Sequence, residues 1–293
     1  MYKINFNHLY HFLIIAQEGS IVAASRKLNV TQPALSHQLK ALEEDIDEKL
    51  FDRKGKRLVL NKNGEQVMSY AKKIFRQTEE MLNFVKSDHH APVKIVKIGV
   101  VPWVSKDFII ELTRPYLLNK YFQLHITFKG LDTLIKEVKT GEIDLLICDA
   151  PYSGRIKKLK GHFLKEEDIY ALTSPNVKLT GKFPKCLSQQ KYLSFQGQCS
   201  TQEIIESFLN EHQLDLSMEA ELNDSELIRK CCEEMPVVAF LPKTAVKEQI
   251  KRKDLIKWGL LKNKKFQYWA VTKRDISKNS LVTELLQRFR KTR

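Results

Sequence analysis

IVAASRKLNVTQPALSHQLK, residues 21 to 40, decides how this chain is read. Ser20 stands just before it, and a serine hydroxyl there accepts a hydrogen bond from a first-turn N–H that has no helical partner. Ala24 and Leu28 then share one helical face at a spacing of four. Asn29 tolerates the left-handed backbone that ends a helix, and Val30 turns back to the core. Thr31 caps a second helix, with Pro33 in its first turn, where a missing N–H costs nothing. Leu35, Leu39 and Leu42 recur at i, i+4 and i+7 and bury against the first helix, while Ala24 is small enough to let the two helices approach. Upstream, about Asn7 to Gln17 forms a further helix that offers Leu9, Phe12, Leu13 and Ala16 to the same core. Opposite its leucines, the second helix carries Gln32, Ser36, His37 and Lys40. Caps, tight turn and polar outer face together give the layout of a helix-turn-helix, whose second helix enters the DNA major groove. Gln pairs with adenine N6 and N7, and Ser bonds a base or a phosphate. The plainer alternative is a three-helix segment with a solvated polar face; the agreement among all these signals favours the DNA reader.

Lys49-Leu-Phe-Asp-Arg-Lys-Gly-Lys-Arg57 follows, then the alternating Leu58-Val-Leu60. Gly55 supports a turn between two short strands, a wing, with Arg53, Lys54, Lys56 and Arg57 around it. Such charges neutralise phosphates and supply affinity without reading sequence; a solvated charged loop is the alternative.

The helix, the helix-turn-helix, the LFDRKGKRLVL wing and the NKNGE helix start, in that order, resemble the LysR-type transcriptional regulators, and TQPALSHQLKALE is very close to that family's recognition helix. The resemblance implies that Gln32, Pro33, Ser36, His37 and Gln38, with Arg53 and Arg57 near the wing, contact bases and phosphates. Ser25 departs from the alanine usual in the family, and His37 from the common arginine. Within the family, NHLYHFLIIAQEGSIVAA is most similar to the subgroup that activates sodium/proton antiporters.

The chain of 293 residues is long enough for two domains, and its 43% apolar content suits a globular protein. A formal net charge of +14 suits a nucleic-acid partner. Lysines are nevertheless dispersed along the whole chain, and Lys243 to Arg293 is as basic as the wing, so the local motif carries the DNA assignment. The start, MYKINFNHLYHF, lacks the pattern of a signal peptide. No apolar run approaches the roughly 20 residues that span a bilayer. The expectation is a cytoplasmic protein without a membrane partner.

Asn61 caps a helix running to about Lys86, in which Val67, Ala71, Ile74, Thr78, Met81 and Val85 alternate spacings of four and three. That is a heptad seam, the pattern of two helices packed along their length. A helix lying on its own domain is the alternative, and family members use this helix for dimers. A symmetric homodimer, or a homotetramer built from it, would address a partly palindromic double-stranded site. Ser87 to Pro92 then breaks the pattern as a hinge. The domain expectation is therefore 1–61 winged helix-turn-helix, 62–86 linker helix, 87–92 hinge and 93–293 effector-binding domain.

That last domain alternates strand and helix. Val93 to Val101, Leu124 to Phe128 and Asp144 to Cys148 read as strands, separated by helices at Lys106 to Leu118 and Leu131 to Lys139, which implies a parallel sheet with right-handed crossovers. Gly141 to Ile147 also resembles the matching turn and strand of the LysR effector domain. Further strands (Tyr192–Phe195, Ala220–Leu222, Pro236–Pro242, Tyr268–Thr272) and helices (Thr201–His212, Ser225–Glu233, Leu281–Arg290) complete a two-lobed α/β fold similar to periplasmic solute-binding proteins. Lobe one covers about 93–165 and 267–293, and lobe two about 166–266.

Small ligands in such lobes bind beyond strand carboxyl ends, near helix N-termini. That selects Pro102, Trp103 and Ser105 in lobe one, and Gln196, Ser200 and Thr201 in lobe two. Hydroxyls there can hold a carboxylate or similar group, and Trp103 an apolar wall; mere helix capping is the alternative. Glu234-Met-Pro236 replaces the glycine-rich turn usual in the family. The five cysteines, Cys148, Cys186, Cys199, Cys231 and Cys232, show no metal-ligand spacing; Cys199 lies nearest this cleft. Asp144 and Asp149 are acidic groups at a strand end, but their spacing defines no sodium site. No metal ligand, cofactor or catalytic set is assigned, since phosphate loop, HExxH, CxxC and nucleophile elbow are all missing. The sequence thus describes a DNA-binding regulator, not an enzyme, governed by a small molecule or ion and acting with RNA polymerase as a further partner. Its rival is an α/β solute-binding or enzymatic protein with a helical N-terminus that binds no DNA.

Overall fold

Side-chain caps set the boundaries of the N-terminal unit. The computed structural model describes residues 4–54, 57–86, 94–119, 121–151, 159–197, 199–274 and 281–290. Helix α1 (Phe6–Glu18) is capped by Asn5, whose side chain accepts from the Asn7 N–H at 2.8 Å, and Gly19 ends it at φ 66°. Ser20 caps α2 (Ile21–Leu28), and Asn29 closes it at φ 53°. Thr31 caps α3 (Gln32–Ile46), with Pro33 in its first turn. Leu35, Leu39 and Leu42 are buried, and Ala24 lies fully buried between the helices. From α1, Ile14 and Ile15 join Leu9 and Phe12 in this core. Leu13 is buried without joining that cluster, and Ala16 is only half-buried, because the helix turns its Ile14 and Ile15 side toward α3.

The wing is a hairpin of β1 (Phe51–Lys54) and β2 (Arg57–Leu60), antiparallel with Phe51 opposite Leu60. Helix α4 (Lys62–Lys86) starts where the Asn61 side chain accepts from the Gly64 N–H at 2.9 Å. A Cβ on Gly64 would sit 2.0 Å from the Leu50 carbonyl oxygen, so only glycine fits this approach. The expected seam along α4 divides in two. Val67, Met68, Ala71, Ile74 and Phe75 pack on the winged-helix core, whereas Met81, Leu82 and Val85 are 55%, 46% and 71% exposed. The first half therefore belongs to its own domain, because Ala71 lets it lie against that core. The expected hinge, 87–92, lies outside the described residues.

The second compact unit comprises Lys94–Lys139 and Ile143–Arg293. Its first strands, β3 (Lys94–Val100), β4 (Phe122–Phe128) and β5 (Leu145–Cys148), are joined by α5 (Lys106–Leu117) and α6 (Leu131–Thr140). β3 pairs with both others in parallel. Next come β6 (Leu159–Thr173), β7 (Lys191–Phe195), α7 (Ser200–Glu211), β8 (Ser217–Leu222) and α8 (Ser225–Glu234). β9 (Ala239–Pro242), α9 (Lys243–Arg252), β10 (Ile256–Lys273) and α10 (Leu281–Arg290) complete the chain. The main sheet has the order β4-β3-β5-β10-β6-β9; β7 and β8 form a separate parallel pair, tied to the rest by a bridge from Tyr192 to Val238.

β6 and β10 are the longest strands and run antiparallel, with Lys165 opposite Tyr268 and Glu167 opposite Phe266. At this crossing the rings of Tyr268 and Phe108 stack with centroids 3.8 Å apart, and the Tyr268 hydroxyl donates to Glu167 at 2.5 Å. Several features depart from the sequence reading, the strand β6 among them. β10 begins at Ile256, not Tyr268, its first half masked by the lysines of KNKK. α9 was not anticipated, having few apolar positions beyond the buried Ala245 and Val246. The strand expected at Pro236 starts at Ala239, since Val238 makes only an isolated bridge.

Candidate nucleic-acid interface and ligand cleft

The capped start of α3 sets its polar face outward. Thr31, Gln32, Pro33, Ser36, His37 and Lys40 are all exposed. Gln32, Pro33 and Ser36 line an open depression together with Ile21. Lys40 reaches Glu44 at 3.4 Å with both side chains about two-thirds exposed (69% and 66%), a pairing that water and salt weaken and a phosphate can replace. Gln38 behaves differently. It is half-buried, and its amide oxygen lies 2.5 Å from Nδ1 of His11 on α1. It is thus a strut between α1 and α3 rather than a member of the outward set. Arg53 and Arg57 have their backbones in β1 and β2, but their side chains lie outside the described residues.

Two buried residues lie behind this surface. Ser25, the departure from the family's alanine, is buried, and its hydroxyl donates to the Val22 carbonyl at 3.0 Å; the extra polar group is satisfied within its own helix. Glu43 is buried behind α3, accepts from the Leu50 N–H at 2.9 Å and pairs with Lys49 at 2.7 Å. It fixes the start of the wing to the recognition helix. Its signal was available in the sequence: an acidic residue four positions after Leu39, on the apolar stripe.

In the second unit, Pro102, Trp103 and Ser105 follow β3, with Trp103 4% and Ser105 2% exposed. Ser105 precedes α5 without making a side-chain cap. The next residue, Lys106, reaches Asp224 at 2.6 Å and Glu226 at 3.2 Å at the start of α8. Burial works against the charge of Lys106, but these two carboxylates outweigh it and raise its pKa. Burial likewise opposes ionisation of Asp224, yet Lys106 and the α8 backbone amides hold its pKa below the usual value.

Gln196 is exposed beyond β7, and Ser200 and Thr201 open α7. Thr201 does not present a vacant anion seat. Its N–H and hydroxyl donate to Oδ2 of Asp149 at 3.0 and 3.2 Å, and the Cys199 thiol lies 3.6 Å from the same oxygen. Sequence reasoning missed this role for Asp149, because the contact spans 52 positions. Among the described residues, Asp149 Oδ1 and the Trp103 indole N–H have no hydrogen-bond partner. Burial raises the Asp149 pKa. The indole N–H is the strongest influence opposing that rise, although it stands outside hydrogen-bonding geometry, and the Thr201 donors follow. Cys199 is held as a thiol, first by burial and then by the Asp149 charge. Asp144 stands at the other end of β5, where it accepts from the Lys97 N–H at 3.0 Å. Among the described residues no cluster of three or more His, Cys, Asp or Glu side chains is placed to hold a metal ion, and no helix is long and apolar enough to cross a membrane.

A wing beside a capped helix with an outward polar face, followed by an α/β unit with polar groups gathered at strand and helix ends, defines a ligand-responsive DNA-binding regulator. Residues 6–65 match the bacterial regulatory helix-turn-helix proteins of the lysR family, and residues 89–293 match the LysR substrate binding domain. The chain belongs to the LysR family of transcriptional regulators, which are not enzymes, and the rival reading of an α/β enzyme is set aside. It is 24% identical over 272 residues to the transcriptional activator protein NhaR of Escherichia coli (strain K12), covering 92% of this chain and 90% of that protein. Among solved structures it resembles a full-length OxyR variant from Pseudomonas aeruginosa, with TM-score 0.65, 18% identity and 99% and 96% of the two chains covered. It also resembles Vibrio fischeri DarR in complex with DNA, with TM-score 0.55, 17% identity and 99% and 98% covered.

Proposed function

We propose that this regulator reads a partly palindromic promoter site in the cytoplasm. Gln32 and Ser36 face base edges; Thr31, Pro33, His37 and Lys40 flank them on the same exposed surface, and Arg53 and Arg57 of the wing hold phosphates. The observation that carries this reading is the exposure of that polar set on a helix whose opposite side is fully committed to the core. A homodimer, or a homotetramer assembled from it, presents two such surfaces, with the exposed Met81, Leu82 and Val85 of α4 as part of the contact. The likeness to NhaR supports an activator of a transporter or stress-response gene, working with RNA polymerase.

The controlling ligand is assigned to the second unit between the Pro102–Ser105 segment and the start of α7, with Trp103, Ser105, Gln196, Ser200 and Thr201 as its candidate contacts; the link from Asp149 to Thr201 supports the reading by tying the end of β5 to that helix start. The long β6–β10 crossing joins the two lobes it separates. A ligand shifts DNA binding only by favouring one arrangement of the protein over another. Footprinting across the region upstream of the neighbouring genes tests the first part: two protected half-sites about one helical turn apart, or a multiple of it, are expected. Uniform protection of unrelated sequence would leave a non-specific DNA binder instead.

A further inference from the structure

The N-terminus of α7 carries the equipment for one carboxylate: a backbone N–H and a hydroxyl from Thr201, with the Cys199 thiol beside them. The electropositive end of a twelve-residue helix adds to it. That equipment is in use. Asp149 follows the fully buried strand β5 by one position and places Oδ2 on all three donors. Its other oxygen and the indole N–H of Trp103 are both buried and unpaired among the described residues. A buried polar group without a partner costs free energy, so this is a place where a further hydrogen-bonding group is favoured.

We propose that Asp149 is a built-in occupant of the carboxylate seat at the α7 N-terminus, and that the effector meeting it there brings an uncharged hydrogen-bonding group, a hydroxyl or carboxamide, rather than a carboxylate. Asp149 is tethered to β5, so a free carboxylate competes against a very high effective concentration. Displacing it would strand a buried charge, and sharing the seat would place two like charges side by side. A hydroxyl or amide instead gives Oδ1 a donor and the Trp103 N–H an acceptor. The proposal rests on the cleft reading above for where the effector goes, but the occupancy of the seat is tested separately.

The test is chemical rescue of the full-length protein. Asp149→Ala empties the seat while leaving Thr201 and Cys199 in place. Thermal unfolding is followed in sodium acetate and in sodium chloride at equal sodium and ionic strength, tens of millimolar, with acetamide as the uncharged control. For Asp149→Ala, acetate raises Tm by a few degrees over chloride, as mass action predicts for a ligand that binds only the folded state. Acetate gives no such rise in the wild type or in Asp149→Asn, and acetamide gives less in the alanine variant. If Asp149→Ala folds and acetate does nothing, the proposal is overturned. An equal acetate effect in the wild type overturns it too, since the seat would then be open or its occupant easily displaced. If the alanine variant is recovered only unfolded, refolding yield in acetate against chloride gives the same decision: a gain supports the seat, and equal yields overturn it. The cleft reading fails on different evidence. Trp103→Phe and Ser105→Ala would then leave ligand-dependent expression of the target gene unchanged while the acetate rescue persisted.

Discussion

Gln32 and Gln38 lie on one helix and are the same residue type, yet their surroundings differ. Gln32 has only the open depression around it, whereas Gln38 is spent on His11. Gln32→Ala and Ser36→Ala are each expected to cost about 1–3 kcal/mol of specific binding. Their non-specific affinity should stay near wild type, read by fluorescence anisotropy on operator and scrambled duplexes. Gln38→Ala and His11→Ala should instead weaken both kinds of binding by similar amounts. Their double variant should be no worse than either single one, the signature of one shared contact; strictly additive losses would separate them. Asp149 makes a second prediction at this scale. Burial holds its pKa above the usual carboxylate value in the folded domain. The folded state therefore binds that proton more tightly than the unfolded chain does. The resulting stability is complete below the unfolded value of 3.8 and is lost as pH rises through the folded one. Asparagine does not titrate, so Asp149→Asn should gain stability relative to wild type as pH rises from the unfolded value toward neutrality, measured by urea unfolding. Asp224 works in the opposite sense, its contribution falling away only below its own unfolded value of 3.8; it is present in both proteins and cancels.

Helix α4 shows how one sequence pattern serves two packing partners. Its heptad spacing is genuine, but Ala71 is fully buried in the winged-helix core while Val85 is 71% exposed. Ala71→Leu should therefore overpack the DNA-binding unit, at a cost of about 1–3 kcal/mol in its unfolding. Leu82→Glu combined with Val85→Glu should leave that unfolding unchanged and shift sedimentation toward monomer. Sedimentation identical to wild type would remove the distal half of α4 from the dimer contact. The pattern was legible in the sequence; its division was not, because periodicity reports a face and not what covers it. The same limit recurs elsewhere. The caps at Ser20, Thr31 and Asn61 and the strands β3 to β5 could be read because local spacing and local hydrogen bonds determine them. The first half of β10 could not, since lysines alternate along it in place of an apolar run, and α9 hides its burial in two adjacent residues. At the sites, the outward set on α3 was legible from its period. The contacts of Gln38 with His11 and of Asp149 with Thr201 were not legible, because their partners lie 27 and 52 positions away, whereas Glu43, whose partners lie within seven positions, was overlooked on a stripe that showed it.

Across the whole molecule, a formal charge of +14 invites the view that the entire surface attracts DNA. Ion pairs show that several of these cations are neutralised where they stand. In the second unit, Lys129 is paired with Glu137, Lys191 with Glu219, Lys264 with Glu211 and Lys265 with Asp168, each within 2.7 Å. Exposed pairs of this kind add little to stability, but they cancel field where they stand. On the proposed reading, Lys40 on the outer face of α3 and Arg53 and Arg57 of the wing are the cations that meet phosphates. Each phosphate neutralised should contribute about 0.9 to the slope of log affinity against log salt. Lys40→Ala, Arg53→Ala and Arg57→Ala are thus each expected to flatten that slope by about 0.9, measured on the full-length protein with one operator duplex. Gln32→Ala should lower affinity at every salt concentration and leave the slope alone, because a neutral amide releases no counterion. Lys264→Ala should change neither. A loss of slope on removing Lys264 that matched the loss from removing Arg53 would mean that DNA runs over the second unit as well, and the division of labour between the two units would have to be redrawn.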